Sequence, residues 1–396
     1  MNLDVAIIGA SSAGLYAAEQ LARAGQRVGV FEQQAEPASA RRTLIVTPQL
    51  QRLLDYIPDA AVLHRIHVMA VTTPSATLRV ELQDPDLIVE RGCLAHLLAD
   101  RAQEAGAELC YGYRFQGLKP HPRGVALHFA ANGETATVAA QAVIGADGLF
   151  SDVAVAAGIK HPPTVPILQA EVRLPPDWEP TISQVWFDAD ETRFFYWLIP
   201  ESKERGVVGL VGDDWAKTRY LLQRFLDRHG FQHLAYQSAQ VAMHHPQLRP
   251  WGRVGSAPVV LVGDAAGQVK VTTVGGTVSG LWGAAAAARA LLQGTSYASE
   301  LRPLKRELDL HWFIRLLLDR LDNPGYDRLV SSITPAVQQF LSRHNRDEMA
   351  GNLWKLPLRQ PRMLALGLRL LLSRSSSGCL SPDAMDVRLW KAKQAQ

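Results

Sequence analysis

The sequence predicts an α/β fold, in which a Rossmann-like domain carries an inserted antiparallel-sheet domain and a C-terminal helical cap. An apolar run at residues 5–8 ends in a small-residue turn, and helix-forming residues and a second apolar run at 27–31 follow. That order within about thirty residues is typical of a βαβ unit. Between 165 and 245, strand-like segments are joined by turns that contain Pro and Asp, and from residue 300 onward the pattern is helical and basic.

The individual elements are predicted from apolar periodicity and from turn residues. In chain order we expect a helix at 12–24 that ends at Gly25, a loop and helix within 37–58, strands within 62–90, a helix at 94–105, a strand at 108–111, a hairpin of 124–130 and 135–140 around Asn132-Gly133, buried strands at 142–144 and 259–262, sheet strands at 168–173, 182–187, 194–199 and 206–211, and a helix at about 277–292.

These elements predict three parts of the chain. The Rossmann-like domain is discontinuous and comprises 1–60, 88–160 and 250–300. The sheet domain comprises 61–87 and 161–249, and the helical region comprises 301–396.

Composition and charge exclude several classes of protein. The net charge is +3, but residues 301–396 hold 16 Lys and Arg against 9 Asp and Glu, whereas the rest of the chain is slightly acidic. Such a balance does not indicate a nucleic-acid partner. The three cysteines are far apart, and the histidines form no His-x-x-His pair, so we expect neither a disulfide framework nor a metal site. No apolar run of 18 residues predicts a transmembrane helix, and we expect a cytoplasmic protein.

The turn after the first strand predicts a nucleotide-binding site. Its residues are Gly9, Ala10, Ser11, Ser12, Ala13 and Gly14, in the place of a G-x-G-x-x-G turn with serine at the middle glycine. Glycines there allow a tight turn, and the free amides of the following helix bind phosphates. Glu32 and its neighbour Gln33 end the second strand, where an acidic side chain binds a ribose hydroxyl. A nucleophile elbow is the alternative, but it needs glycine at Ala13.

A later segment, Gly263-Asp264-Ala265-Ala266-Gly267-Gln268-Val269-Lys270, is followed by Gly275, Gly276 and Thr277. It resembles the second flavin-binding motif of the p-hydroxybenzoate-hydroxylase-type flavoproteins, and it is most similar to the geranylgeranyl reductase family. The resemblance implies an FAD cofactor held by Asp264 and by the start of the helix at 277. The sequence departs from that family at Val271, where the reductases have proline.

Two further motifs support the same resemblance. Ala146-Asp147-Gly148 stands between the other two motifs, as in that superfamily. Arg91 directly precedes the predicted helix 94–105 and matches the arginine that reaches the flavin pyrophosphate in that superfamily, and Arg41 or Arg42 is a second candidate for the phosphates. The reductases have a Cys-Gly pair near Arg42 that is absent here.

Phe195, Trp197 and Ile199 are the candidate substrate residues. They precede Pro200 in the inserted sheet, and alternation places Phe195 and Trp197 on one face of the strand. The reductases carry Tyr-x-Trp-x-Phe-Pro here. Flavin-dependent halogenases carry Trp-x-Trp-x-Ile-Pro, but they need an early lysine, and none precedes Lys119.

The resemblance implies reduction of C=C bonds in an isoprenoid or other apolar substrate, with electrons from NAD(P)H or from a ferredoxin-like protein. A monooxygenase that uses NAD(P)H and oxygen is the alternative, and a halogenase or a flavin-bound lipid carrier are further ones. The sequence assigns neither a catalytic residue nor an oligomeric state. Residues 352–374 are basic and rich in leucine, which indicates a peripheral contact with the inner face of a membrane.

Overall fold

The computed structural model describes residues 2–36, 42–56, 59–131 and 133–352, which form two eight-stranded sheets with helices around them. The strands are β1 (Asn2–Ile8), β2 (Val28–Glu32), β3 (Thr43–Val46), β4 (Val62–Thr72), β5 (Thr77–Glu90), β6 (Glu108–Tyr111), β7 (Tyr113–His121), β8 (Gly124–Ala131), β9 (Glu134–Gly145), β10 (Thr164–Arg173), β11 (Ile182–Trp186), β12 (Tyr196–Pro200), β13 (Arg205–Val211), β14 (Gln232–Ala242), β15 (Trp251–Val254) and β16 (Ala257–Leu261).

The helices complete the list of elements. They are α1 (Ser12–Arg23), α2 (Gln49–Leu54), α3 (Arg91–Glu104), α4 (Asp152–Ala156), α5 (Trp215–His229), α6 (Thr277–Gln293), α7 (Tyr297–Glu300), α8 (Arg302–Leu318), α9 (Asn323–Ser331) and α10 (Pro335–Arg343). Short 3₁₀ segments lie at Asp59–Ala61 and Gly263–Ala266.

The first sheet has the order β15-β16-β9-β1-β2-β6, and its central pairs are parallel. Both faces of such a sheet are covered, which explains why its strands are nearly continuous apolar runs. Helices α1, α3 and α6 cover one face, and the hairpin of β7 and β8 with α4 covers the other. The Rossmann-like βαβ prediction is therefore confirmed.

Helix α1 shows why this region folds as predicted. The Ser11 side chain accepts a hydrogen bond from the Gly14 amide at its start, and Gly25 follows its end with a φ of +82°. Apolar side chains such as Leu15 and Leu21 are fully buried between the sheet and α6. The capping serine and the terminal glycine are the usual signals of helix ends.

The second sheet has the order β14-β10-β13-β12-β11-β4-β5-β3. Its pairs are antiparallel except that of β4 with β11, which is parallel. Helix α5 packs on one face around Phe225, and the opposite face carries Phe195, Trp197 and Ile199. The predicted antiparallel-sheet domain is thus observed with one parallel pair.

Three details differ from the sequence predictions. Within 37–58, where a loop and a helix were expected, residues 43–46 form a strand, because they pair with β5. The predicted strands at 135–140 and 142–144 are one strand, β9, whose first half pairs with β8 and whose second half pairs with β1. By strand pairing, residues 43–46 and 88–90 join the second sheet, while the domain boundaries themselves stay a prediction.

The end of the described chain packs against β5 and α8. We call residues 345–350, which follow α10, the strap. Arg346 pairs with Asp86 of β5 at 2.5 Å, and Glu307 of α8 accepts hydrogen bonds from the amides of Met349 and Ala350. The predicted membrane-contact segment 352–374 lies outside the described residues except for Asn352.

Candidate functional site

The turn between β1 and α1 requires glycine at two positions. Gly9 has a φ of +98°, and a Cβ on it would come within 2.5 Å of the Ala146 carbonyl oxygen. A Cβ on Gly14 would come within 2.4 Å of the Gly9 carbonyl oxygen. Both contacts are with backbone, so a side chain at either position displaces the turn.

Glu32 braces this turn from the end of β2. Its carboxylate accepts hydrogen bonds from the Ala10 amide at 2.9 Å and from the Gln34 amide at 3.0 Å. Gln33 is exposed beside it. Ser12 and Ala13 form the first turn of α1, where amides have no acceptor within the helix. Because such amides attract anions, this end of α1 is suited to a phosphate group.

The turn after β16 lies against the first one. The Ala13 Cβ is 3.4 Å from the Cβ position of Gly263, and an Asp264 carboxylate oxygen is 3.2 Å from the Cβ position of Gly276. The two turns and the start of α6 therefore form one continuous surface.

Three charged side chains converge beside that surface. Asp264 is exposed, but desolvation by the surrounding protein raises its pKa, while the positive charges of Arg42 and Arg91 oppose this. Among the described residues, the side chains of these three groups make no hydrogen bond or ion pair. They are thus available to a ligand that carries both hydroxyl and phosphate groups.

A cavity of about 300 Å³ opens next to this surface. We call it the main cavity. It is lined by the candidate substrate residues and by candidate cofactor residues together, namely Phe195, Trp197, Ile199, Arg42, Gly275, Gly276 and Thr277. The structure therefore brings the second sheet and the start of α6 to one site. The other candidate cofactor residues lie outside that lining, namely Gly9–Gly14, Glu32, Gln33, Arg91 and Asp264.

The aromatic wall of the main cavity is fixed by strand pairing. Phe195 and Trp197 lie on one face of the sheet with ring centroids 6.0 Å apart, which confirms the predicted alternation. Trp197 pairs with Gly209 of β13, and its indole occupies the space that a side chain at Gly209 would fill. Tyr196 faces the opposite way and stacks on Phe225.

Sequence reasoning missed a buried ion pair in the same cavity. The Lys270 ammonium group contacts the Asp347 carboxylate, and both side chains line the cavity. The Thr47 hydroxyl donates to Asp347 at 2.5 Å. Burial lowers the pKa of Lys270, although the Asp347 charge opposes this. Lys270 lies inside the second motif, but its partner is 77 residues away and no local pattern indicates it.

A second, smaller cavity of about 180 Å³ adjoins the main one. It lies between β5 and α10, and Met69, Val71 and Arg346 line both cavities.

The Asp147 carboxylate of the third motif has a structural role, because it accepts hydrogen bonds from Ser151 and from the Val153 amide at the start of α4.

Comparison with known proteins places this site in context. A family model described as an FAD binding domain matches residues 2–299. The chain is 26% identical over 290 residues to a geranylgeranyl diphosphate reductase from Synechocystis, covering 68% of this chain and 70% of the relative. It is 29% identical over 296 residues to a digeranylgeranylglycerophospholipid reductase from Methanothermobacter thermautotrophicus, covering 70% of this chain and 74% of the relative.

Solved structures show the same fold. A geranylgeranyl bacteriochlorophyll reductase-like protein from Thermoplasma acidophilum has a TM-score of 0.79 at 20% identity, covering 93% of this chain and 99% of the other. A flavin-dependent brominase has a TM-score of 0.68 at 15% identity, covering 91% and 100%. The p-nitrophenol 4-monooxygenase of Pseudomonas putida has a TM-score of 0.63 at 16% identity, covering 94% and 99%.

Proposed function

The chain belongs to the FAD-binding domain family of FAD-dependent oxidoreductases, and we propose that it reduces C=C bonds of an isoprenoid or similarly apolar substrate. The observation that carries the proposal is the main cavity, which Phe195, Trp197 and Ile199 line together with Gly275 and Gly276 at the start of α6. A substrate held by the aromatic wall is thereby next to the cofactor motif.

The residues of the two turns suit FAD. The close approach at Gly9 and Gly14, the free amides at the start of α1, and the unpaired Arg42, Arg91 and Asp264 match a ligand with a pyrophosphate and several hydroxyls. Bound FAD supplies hydride transfer, while the chain supplies orientation and a dry site.

The lining of the main cavity supports an apolar substrate. Besides the aromatic wall, it includes Leu44, Val46, Val185 and Val211. Ligand sites of this kind take most of their binding energy from apolar burial and use few polar groups for orientation. The names of the relatives, geranylgeranyl diphosphate reductase and digeranylgeranylglycerophospholipid reductase, favour an isoprenoid chain.

The proposal is tested by product analysis under anaerobic conditions. Protein reconstituted with FAD and reduced chemically is mixed with a polyprenyl substrate, and mass spectrometry follows the product. We expect a gain of two hydrogens for each bond saturated, and Trp197→Ala to reduce the yield. An unchanged substrate would overturn the proposal. Oxygen-dependent incorporation of an oxygen atom would instead establish the monooxygenase alternative, which the likeness to p-nitrophenol 4-monooxygenase favours.

The natural electron donor is part of the proposal. We infer that NAD(P)H or a ferredoxin-like protein reduces the flavin. Anaerobic mixing with each donor, followed at the flavin absorbance, distinguishes the two, and bleaching by neither would contradict this inference.

Membrane contact is a further part of the proposal. Among the described residues, no helix is long and apolar enough to cross a membrane. We propose that the protein is cytoplasmic and that residues 352–374 rest on the inner face of the membrane. Sedimentation with anionic vesicles tests this, because replacing Arg359, Arg362 and Arg369 by glutamine is expected to release the protein. Equal sedimentation of the two proteins would contradict the contact.

A further inference from the structure

The reduction of a C=C bond needs a proton as well as a hydride, and the site must supply it. The titratable side chains that line the main cavity in the described part of the chain are Arg42, Lys270, Arg346 and Asp347. Arginine does not release its proton in proteins, and the pKa of Asp347 is lowered, chiefly by the Lys270 charge against the opposing effect of burial. The Lys270 ammonium group is the remaining acid.

The position of Lys270 suits a group that acts on a ligand. The residue is 4% exposed, and it lines the main cavity. Its backbone amide donates to the Gly275 carbonyl at 3.1 Å, so the lysine is anchored to the start of α6. The side chain also lies near that helix start, because its Cε is 3.9 Å from the Cβ position of Gly275, and it lines the same cavity as the aromatic wall.

Asp347 holds this lysine in place. The carboxylate contacts the ammonium group and accepts a hydrogen bond from Thr47, and it is 2% exposed. The strap that carries Asp347 is fixed in turn by the pair of Arg346 with Asp86 and by a hydrogen bond between His311 and the Arg346 carbonyl.

We propose that Lys270 is a catalytic proton donor to the substrate carbon and that Asp347 is its positioning residue; this rests on the proposed reductase function. In the balanced step, an N–H bond of the ammonium group breaks and a C–H bond forms as the C=C π bond opens. The second carbon takes the hydride that reduced FAD supplies. The neutral amine left on Lys270 regains a proton from water that enters the cavity.

The charges that face Lys270 set the direction of its pH dependence. Asp347 and Asp86 favour the charged form, whereas burial and the Arg346 charge disfavour it, and the net effect lowers the pKa of Lys270. A lysine with a lowered pKa is a better acid near neutral pH. The reaction should therefore slow as pH rises through that pKa.

The test compares three variants with the wild-type holoenzyme. Lys270→Arg keeps the positive charge but cannot release a proton, and Lys270→Met with Asp347→Leu removes the pair without leaving an unpaired charge. Lys305→Met is the matched control, because Lys305 pairs with Asp309 outside the main cavity. Each is measured for FAD affinity, for polyprenyl binding in the FAD-free protein by tryptophan fluorescence, and for anaerobic reoxidation of the reduced flavin by substrate over a range of pH.

We expect reoxidation by substrate to slow by about a hundredfold or more in both Lys270 variants, with loss of the alkaline limb. Both binding affinities should stay within about threefold of wild type, and Lys305→Met should behave as wild type. A Lys270→Arg protein that reoxidises normally would overturn the proton-donor role, since charge alone then suffices. If wild-type protein itself is not reoxidised by substrate, the proposed function fails, and this inference fails with it.

Discussion

A methyl group at Gly9 would meet the Ala146 backbone, whereas the same group at Gly25 would meet nothing within 4 Å. Both glycines have a positive φ, at +98° and +82°. Alanine at either position therefore costs about 1 kcal/mol of backbone strain. The difference in FAD affinity between the two variants therefore reports the close backbone approach at the turn between β1 and α1.

We expect Gly9→Ala to weaken FAD binding by about tenfold or more, because overpacking costs about 1–3 kcal/mol and displaces the turn. Gly25→Ala should lower the melting temperature slightly and leave FAD affinity unchanged. Fluorescence titration with FAD measures the affinity of both variants. Equal affinity in the two variants would show that the turn does not approach the cofactor.

The carboxylate of Asp264 is expected to make FAD affinity depend on pH. Its pKa is raised by desolvation, and the nearby arginines oppose this. If Asp264 binds the cofactor, its ionised carboxylate accepts hydrogen bonds from ligand hydroxyls, and we then expect FAD affinity to be complete above that pKa and to be lost as pH falls through it. Asp264→Asn should bind FAD about tenfold more weakly at neutral pH, as expected for loss of a charged hydrogen bond.

The decline of FAD affinity in acid shows whether Asp264 contacts the cofactor directly. Affinity of Asp264→Asn should decline less on acidification than that of wild type, and Glu36→Gln, an exposed carboxylate, serves as the control. Parallel pH curves for wild type and Asp264→Asn would contradict a direct contact with the cofactor.

At the scale of elements, the pairing of β12 with β13 sets the aromatic wall. Trp197 lies opposite Gly209, and a Cβ there would come within 1.9 Å of the indole. We expect Gly209→Ala to push the indole into the main cavity and to weaken polyprenyl binding by about tenfold, since overpacking costs about 1–3 kcal/mol. Gly117→Ala, with nothing within 4 Å of its Cβ, is the matched control. Unchanged binding in Gly209→Ala would show that Trp197 does not line the substrate site.

The strap depends on a buried ion pair between elements. Asp86 is 2% exposed and pairs with Arg346, so Asp86→Asn leaves a poorly compensated charge. Hydrogen exchange at 345–350 should speed up by about tenfold or more in this variant, whereas exposed Asp84→Asn should have no effect. Exchange that is equal in both variants would mean that the other contacts alone hold the strap.

Some elements of the fold could be predicted from the sequence, and others depend on tertiary pairing. The βαβ start, α3, α6 and the hairpin of β8 and β9 follow from local periodicity and turn residues, so they were predictable. Strand β3 reads Thr-Leu-Ile-Val, which is β-prone but only four residues long, and its pairing with β5 settles that it is a strand. The pair of Lys270 with Asp347 is likewise a product of tertiary structure, since the carboxylate arrives on the strap from beyond α10.

Over the whole molecule, each of the two sheets contributes a different part of the site. The first sheet carries the two turns that suit FAD, and the second presents an aromatic wall; both meet at the start of α6. Motifs in the sequence indicated the residues of each part. Their convergence on one cavity required the fold, because Arg42, Trp197 and Gly276 line it from segments far apart in the chain.

We propose that the residues suited to FAD and the apolar cavity serve one reaction on one substrate. Anaerobic stopped-flow absorbance tests it most directly, with FAD-reconstituted protein reduced beforehand and then mixed with a polyprenyl compound. We predict that the substrate reoxidises the flavin, and that Trp197→Ala slows this reoxidation without changing FAD affinity. A reduced flavin that persists with the polyprenyl compound, and reoxidises only when oxygen is admitted, would contradict the proposed reductase function.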